Sequence, residues 1–479
     1  MTASEQEIRI QGQTPPVPSV SFVLFARLWA LAGVFHFLSY HDWRWTNWSG
    51  ILLGAVTLCV LLRPTWQLFG FFVLMDWLLV GRTTPYHPNH ILFSWVINLT
   101  ILLTLAVAWK RRAQGTTIES NWYTLFAPWA RLELGVLYFF AVFHKLNSAY
   151  FDPEVSCSAA MLRELATRFP ILPTGPWAQN AAIYGILVAE AIIPILLAVR
   201  PTRLAGLVLG ISFHGLLALH PYPGIYSFSA TVMALFALFL PESFAARLEP
   251  PGWLRLSLRF LCVAGLSFLG IWAARDWLPF GQFLELRWPA LAFGIGYGAA
   301  LVYAGVSLVL IVWLGRRHAQ ELAGGAPGSL RQLPALIILP VFLVVVGLQP
   351  YLGLRTLVCF SMFSNLQTEN GQSNHLLMPD SLQLTRWQRD LVEVLETSDP
   401  YLAGFQRDGV KIPFLELRRI RTGAGPDFQI RFRRGDQEFR FASSDPSTRN
   451  SIEPLGFIER RYFFFRPVEP DPRAVRCRW

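Results

Sequence analysis

Three separated stretches of this 479-residue chain set ionisable side chains inside apolar sequence. "YFFAVFHKLNSAYFD" (138–152) carries His144 and Lys145, "HPNHILFSW" (87–95) carries Asn89 and His90, and "ISFHGLLALHPYPGIYSFS" (211–229) carries His214 and Tyr226. Ionisable groups within membrane-spanning sequence are rare, and by default they are functional candidates. Desolvation disfavours an ammonium, so a lysine held in such a place is a usable general base. On a helix, Tyr138, Ala141, Lys145 and Ser148 share one stripe, and His144 points about 100° away toward a neighbouring helix or the interface. Glu190 and Asp76 are possible carboxylate partners inside apolar runs. The bland alternatives are a lysine snorkelling from a helix end and histidines that merely pack.

The elements that would position these residues are membrane helices. Hydrophobic residues make up 53% of the chain and charged residues 15%, with a mean hydropathy of +0.38. A soluble protein carries nearer a quarter charged residues. The 18 Trp and 37 Phe suit rings that anchor helices at a bilayer interface. No cleavable signal is evident in the polar, Pro-containing first twenty residues.

Apolar runs near 22–40, 50–62, 67–80, 91–109, 132–150, 180–199, 204–220, 224–240, 258–274, 288–314 and 333–350 approach the length that crosses about 30 Å of hydrocarbon. The second and third are short enough to form one re-entrant pair, giving nine to eleven spans. Arg63, Lys110–Arg111–Arg112, Arg200 with Arg203, Arg255 with Arg259, and Arg316 with Arg317 fall at alternate turns. The positive-inside rule places those turns and the N-terminus in the cytoplasm, and the C-terminal region outside with eleven spans. The net charge of +10 lies mostly among these segments, because from Asn365 onward 18 Lys/Arg face 16 Asp/Glu. Nucleic acid is therefore not an expected partner; membrane lipid is.

The fold expected is an all-α polytopic bundle of about 9–11 spans with a small extracytoplasmic α+β C-terminal domain. Its expected parts are a cytoplasmic tail (1–21), the transmembrane domain (22–350), a lid-like connector (351–379) and the small domain (380–479). Within that domain "TRWQRDLVEVLETSDP" (385–400) has helical periodicity, and "FQIRFRRGDQEFRF" (428–441) alternates around Gly435–Asp436 as a hairpin does. The five cysteines show no metal-ligand spacing. Cys157, Cys359 and Cys477 all map outside, where one disulfide among them is possible.

"LYFFAVFHKLNSAYFD", the preceding "NWYTLFAPWARLEL", the Asn89–His90 pair and the later "FHGLLALHPYPGIYSFS" together resemble the horizontally transferred transmembrane family. That family includes the vitamin K-dependent γ-glutamyl carboxylase, and the similarity covers roughly residues 20–365. The resemblance implies Lys145 as the base that deprotonates a reduced quinone such as vitamin K hydroquinone, with His90 and His214 in support. Tyr138, Asn89 and Tyr226 then become candidates to bind that isoprenoid quinone, and no metal is implied. The implied chemistry is epoxidation coupled to carboxylation, carried out in a bacterial plasma membrane. The chain departs from the carboxylase in reading His144–Lys145 where that enzyme has two adjacent lysines, in a fourth span that ends "VAWKRR", and in its much smaller extramembrane region. A non-enzymatic lipid- or quinone-binding protein or scaffold is the alternative, and a transporter follows it, since no inverted repeat is evident.

Overall fold

The computed structural model of the chain describes residues 19–39, 47–83, 87–112, 117–220, 222–248, 252–279, 281–326, 328–472 and 475–477. The tail expected over 1–21 lies outside the described residues up to position 18. Among the described residues, fourteen α-helices precede the C-terminal region: α1 (Val20–Ser39), α2 (Trp48–Leu62), α3 (Trp66–Thr83), α4 (Asn89–Lys110), α5 (Ile118–Phe143), α6 (Cys157–Arg168) and α7 (Pro176–Ala198) come first. They are followed by α8 (Arg203–Leu217), α9 (Pro223–Phe236), α10 (Glu242–Arg247), α11 (Gly252–Ala273), α12 (Gly281–Arg317), α13 (Ala319–Leu322) and α14 (Ile338–Leu348).

Among the described residues, six helices are long and apolar enough to cross a membrane: α1, α4, α5, α7 and the greater parts of α11 and α12. Several of the eleven apolar runs form shorter helices. At 15 and 14 residues, α8 and α9 reach only about 20 Å at 1.5 Å per residue, short of the hydrocarbon thickness. α12 goes the other way, its 37 residues extending about 55 Å. α1, α4 and α5 bury most of their residues, whereas α7, α11 and α12 leave most of theirs on the surface. Their exposed side chains (Val188, Ile195, Phe260, Val302, Val309) are those a hydrocarbon solvent accepts.

Two compact units arise from interleaved stretches of chain. The first comprises residues 1–82, 94–135 and 192–340; the second comprises 83–93, 136–191 and 341–479. In the first, α1 packs on α2 and α9, and α8 on α12. Its interior holds a polar chain of Trp29 Nε1 donating to Asn98 (3.0 Å) and Asn98 donating to Asp76 (2.9 Å). Thr100 donates to Glu133 (2.7 Å) in the same unit.

The second unit contains the one sheet among the described residues. It is antiparallel, in the order β2 (Lys411–Pro413), β1 (Leu391–Thr397), β3 (Gln429–Arg434), β4 (Gln437–Ala442). The hairpin read at 428–441 is β3–β4, paired Arg434 with Gln437 across a turn whose Gly435 has φ of 60°. That left-handed value explains the glycine. The helix expected over 385–400 is instead β1. Val392 and Val394 are buried and Glu393 between them is not, a period of two that a register shift between Val394 and Glu396 ends, and neighbours hydrogen-bond on both edges. Tertiary pairing and β-branched residues outweigh the helical spacing of Leu391, Val392 and Leu395. Two helices, α15 (Pro400–Asp408) and α16 (Phe414–Gly423), complete the core around Leu402, Phe405, Phe432 and Phe441.

The connector over 351–379 is a packed part of this second unit, with Cys359, Phe360, Leu366 and Glu369 wholly buried. Val358, Phe360, Phe363, Asn365 and Asn370 have φ between 53° and 65°. Left-handed backbone is uncommon for any residue but glycine, and a β-branched valine there is an outlier. Such residues cost about 1–3 kcal/mol each and persist only where surroundings hold them. Here Asn365 does much of the holding: its amide accepts from Cys157 N (2.7 Å) and donates to the Val155 (2.9 Å) and Val475 (2.8 Å) carbonyls. Cys157 and Cys477 are disulfide-bonded across a separation of 320 residues, while Cys359 is free and buried.

Candidate functional site

α5 enters the second unit at Val136 and stops at Phe143, not at Tyr150 as the apolar run suggests. The last turn tightens into three-residue hydrogen bonds, Lys145 N to Val142 O and Leu146 N to Phe143 O, after which the chain leaves the helix axis. The cause lies in how the terminal carbonyls are satisfied. A helix ends with four carbonyls lacking backbone donors. Here Lys145 Nζ donates to Ala141 O (3.0 Å), His375 Nε2 to Phe143 O (2.8 Å) and Asn147 Nδ2 to His144 O (2.8 Å). Side chains take the places that further helical turns would have filled.

The expected stripe of Tyr138, Ala141, Lys145 and Ser148 therefore breaks at Phe143. Tyr138, Ala141 and Lys145 are buried and Ser148 is exposed. Lys145 does not snorkel. It is 3% exposed, and its ammonium lies 2.8 Å from one carboxylate oxygen of Glu190 on α7 and 3.1 Å from the other. Glu190 is close enough to Tyr138 and Tyr150 to act on both electrostatically. Tyr150 is fixed by Ser158 Oγ (2.8 Å) and by donating to the Ile183 carbonyl (3.1 Å). The result is a buried ion pair at the negative end of a helix dipole, with two phenols beside its carboxylate.

His144 is wholly buried with its Nε2 2.9 Å from the Gly347 carbonyl of α14, so it faces a neighbouring helix. The approach is close: a Cβ on Gly347 would stand 2.5 Å from the Phe140 ring, which is why α14 carries glycine there. His375, from the buried connector, accepts at Nδ1 from the Leu377 and Met378 amides (3.0 Å each). Its Nε2 is therefore the protonated nitrogen that donates to Phe143, and burial holds its pKa below the ordinary histidine value.

The remaining candidates divide between the units. His90 is 3% exposed in the first turn of α4 and belongs to the second unit with Lys145 and Tyr138. Asn89 beside it accepts from the Phe360 amide (2.6 Å), so its carbonyl oxygen tethers the buried connector. His214 and Tyr226 belong to the first unit. There His214 is enclosed by the rings of Phe213, Phe228 and Phe236, and Tyr226 by Phe35 and Phe293. Tyr226 lies against Gly296 of α12. Among the described residues, no three His, Cys, Asp or Glu side chains are placed to hold a metal.

Glu190 is legible in sequence as a carboxylate within an apolar run. Tyr150, Asn147 and His375 are not, because their roles depend on contacts made up to 232 residues away. Compared with known proteins, the chain matches no family profile, no curated sequence and no solved structure.

Proposed function

We propose that the chain is an integral membrane enzyme whose Lys145–Glu190 pair moves a proton on a lipid-soluble, quinol-like molecule. The observation that carries this reading is the pair itself: an ammonium and a carboxylate in direct contact, nearly shielded from water, at the end of a membrane-length helix. Buried charge is expensive and is retained chiefly where it serves a site. In this scheme the quinol O–H bond breaks and its proton passes to the pair. Glu190 takes the proton that the pair gains, and the Lys145 ammonium balances the charge left on oxygen. Tyr138 and Tyr150 flank the carboxylate and would orient the ring hydroxyl. The resemblance to the horizontally transferred transmembrane family supports a reduced quinone as the molecule bound. Whether carbon dioxide then adds to a protein glutamate is a property of that family only.

The second unit's face is proposed to lie outside the cytoplasm of a bacterial plasma membrane. The Cys157–Cys477 disulfide supports this, since such bonds persist in oxidising compartments, and so does the lack of any Lys or Arg in its stretch 83–93 under the positive-inside rule. A scaffold reading also has an observation in its favour: Lys145 bonds its own helix at Ala141, as a structural pin would.

The test is lipid extraction and mass spectrometry of the purified protein, followed by oxidation of added quinol by dissolved dioxygen in proteoliposomes, with deprotonation of the quinol as the step the pair accelerates. Wild type is expected to carry a quinone and to turn over the quinol, and Lys145→Met and Glu190→Gln are expected to lose turnover. A wild-type protein that carries no quinone and oxidises quinol no faster than protein-free vesicles would leave the pin reading standing.

A further inference from the structure

A second group of buried polar side chains in the second unit takes no part in the Lys145–Glu190 pair. Arg355 and Arg466 both bond the connector's strained segment. Arg355 Nη2 donates to Val358 O (2.7 Å) and its guanidinium lies over the Phe464 ring at 5.3 Å. Arg466 Nη2 donates to Ser361 Oγ (3.1 Å), and its amide donates to Thr356 Oγ1 (3.0 Å). Thr356 and Leu357 in turn both donate to the Phe464 carbonyl, so the two arginines sit on one knot of backbone.

Neither guanidinium has a carboxylate within 4 Å among the described residues, although ten ion pairs elsewhere in the chain show arginine or histidine so matched. Arg355 is 6% exposed, and burial pushes its pKa down to about 10, which leaves it charged at neutral pH. The Nε atoms of both arginines are buried without a hydrogen-bond partner among the described residues, as is Tyr351 Oη. Arg466 is near enough to act electrostatically on Tyr351 and on the Cys359 thiol, and Arg355 acts on the same thiol. Buried cations are ordinarily paired, and buried donors ordinarily satisfied. Two guanidiniums with spare N–H groups and a phenol beside them are a donor set for a planar or tetrahedral oxyanion.

We infer that Arg355 and Arg466, with Tyr351 as an adjacent donor, bind a small oxyanion: a carboxylate or a phosphate group. Arg466 is only partly buried, so the anion enters from its side of the knot.

Titration calorimetry on the full-length protein in detergent tests this, using inorganic phosphate and acetate against sodium chloride at matched ionic strength. Wild type is expected to give a saturable signal with at least one anion. A response to phosphate alone identifies a phosphoryl ligand, one to acetate alone a carboxylate ligand, and either supports the site. Arg466→Gln, at a partly exposed position that leaves the fold intact by thermal melting, should weaken binding about tenfold or more, the scale of one charge-assisted contact. Arg476→Gln, which alters an exposed arginine near Glu469, should leave affinity unchanged. No saturable signal from either anion, unchanged affinity in Arg466→Gln, or equal weakening in Arg476→Gln would overturn the inference.

Discussion

Replacing Glu190 by Gln keeps the shape of the side chain and removes its charge, leaving the Lys145 ammonium 3% exposed with one carbonyl partner at Ala141. Breaking a buried pair from one side costs about 3–5 kcal/mol, because an uncompensated charge stays behind. Glu190 is 13% exposed, so the pair is not fully enclosed, and the lower end, about 3 kcal/mol, is expected. Lys145→Met leaves a carboxylate that can neutralise by taking up a proton. It also removes the donor to Ala141, for a cost of about 1–2 kcal/mol. The double variant Lys145→Met/Glu190→Gln leaves no charge and similar volume, and it should lie within about 1 kcal/mol of wild type. The cycle therefore predicts a coupling of about 3 kcal/mol and an unusual order, with the double variant more stable than Glu190→Gln. Equilibrium unfolding in mixed detergent micelles, followed by tryptophan fluorescence, measures all four proteins. If the two single changes simply add in the double variant, the ion pair contributes nothing as a pair and the reasoning fails.

Three further outcomes follow from the same geometry. Cys157→Ser or Cys477→Ser should cost about 2–5 kcal/mol; in wild type, a maleimide reagent should modify Cys157 and Cys477 only after reduction, and labelling before reduction would refute the bond. Gly347→Ala should destabilise by about 1–3 kcal/mol through overpacking against Phe140, and Phe140→Leu should restore part of the loss in a melting assay. His375 is held neutral in the fold by two amides donating to Nδ1, with its pKa below the ordinary value. The unfolded chain then binds the proton first, so stability should fall as pH drops below about 6.5, the unperturbed histidine value. His375→Gln should flatten that part of the stability–pH curve, and an unchanged slope would contradict the assignment.

What could be read from residues alone was what local chemistry decides. The six membrane-length helices follow from composition and run length, and the β3–β4 hairpin follows from alternation around Gly435. The buried lysine was legible because lysine in apolar sequence is improbable without a partner. What could not be read was where α5 ends. Nothing between Tyr138 and Tyr150 forbids helix; the stop is made by His375 on Phe143 and by Asn147, which also donates to the Ser364 carbonyl (2.5 Å). β1 was misread for a related reason, since its spacing fits two periods and only its neighbours in the sheet choose between them. His214 and Tyr226 show the converse limit. A histidine and a tyrosine in apolar sequence read alike whether they serve a site or are enclosed by aromatic rings, and spacing carries no signal that tells the two apart.

The interleaving of the second unit governs the order in which this protein can be made. Its three stretches, 83–93, 136–191 and 341–479, leave the ribosome at separate times. Glu190 can meet Lys145 early, since 45 residues separate them. The Gly347 carbonyl, the His375 ring and the Asn365 amide that hold the α5 terminus arrive only after more than two thirds of the chain has been translated. Cys477 follows Cys157 by 320 residues and closes the disulfide after these contacts can form. A nascent chain halted just before residue 477 would present the six membrane-length helices among the described residues and the held α5 terminus, with Cys157 still a thiol. Oxidation of that one bond thus reports that synthesis has passed residue 477, and a cell's quality-control proteases could distinguish copies that have reached it from those that have not.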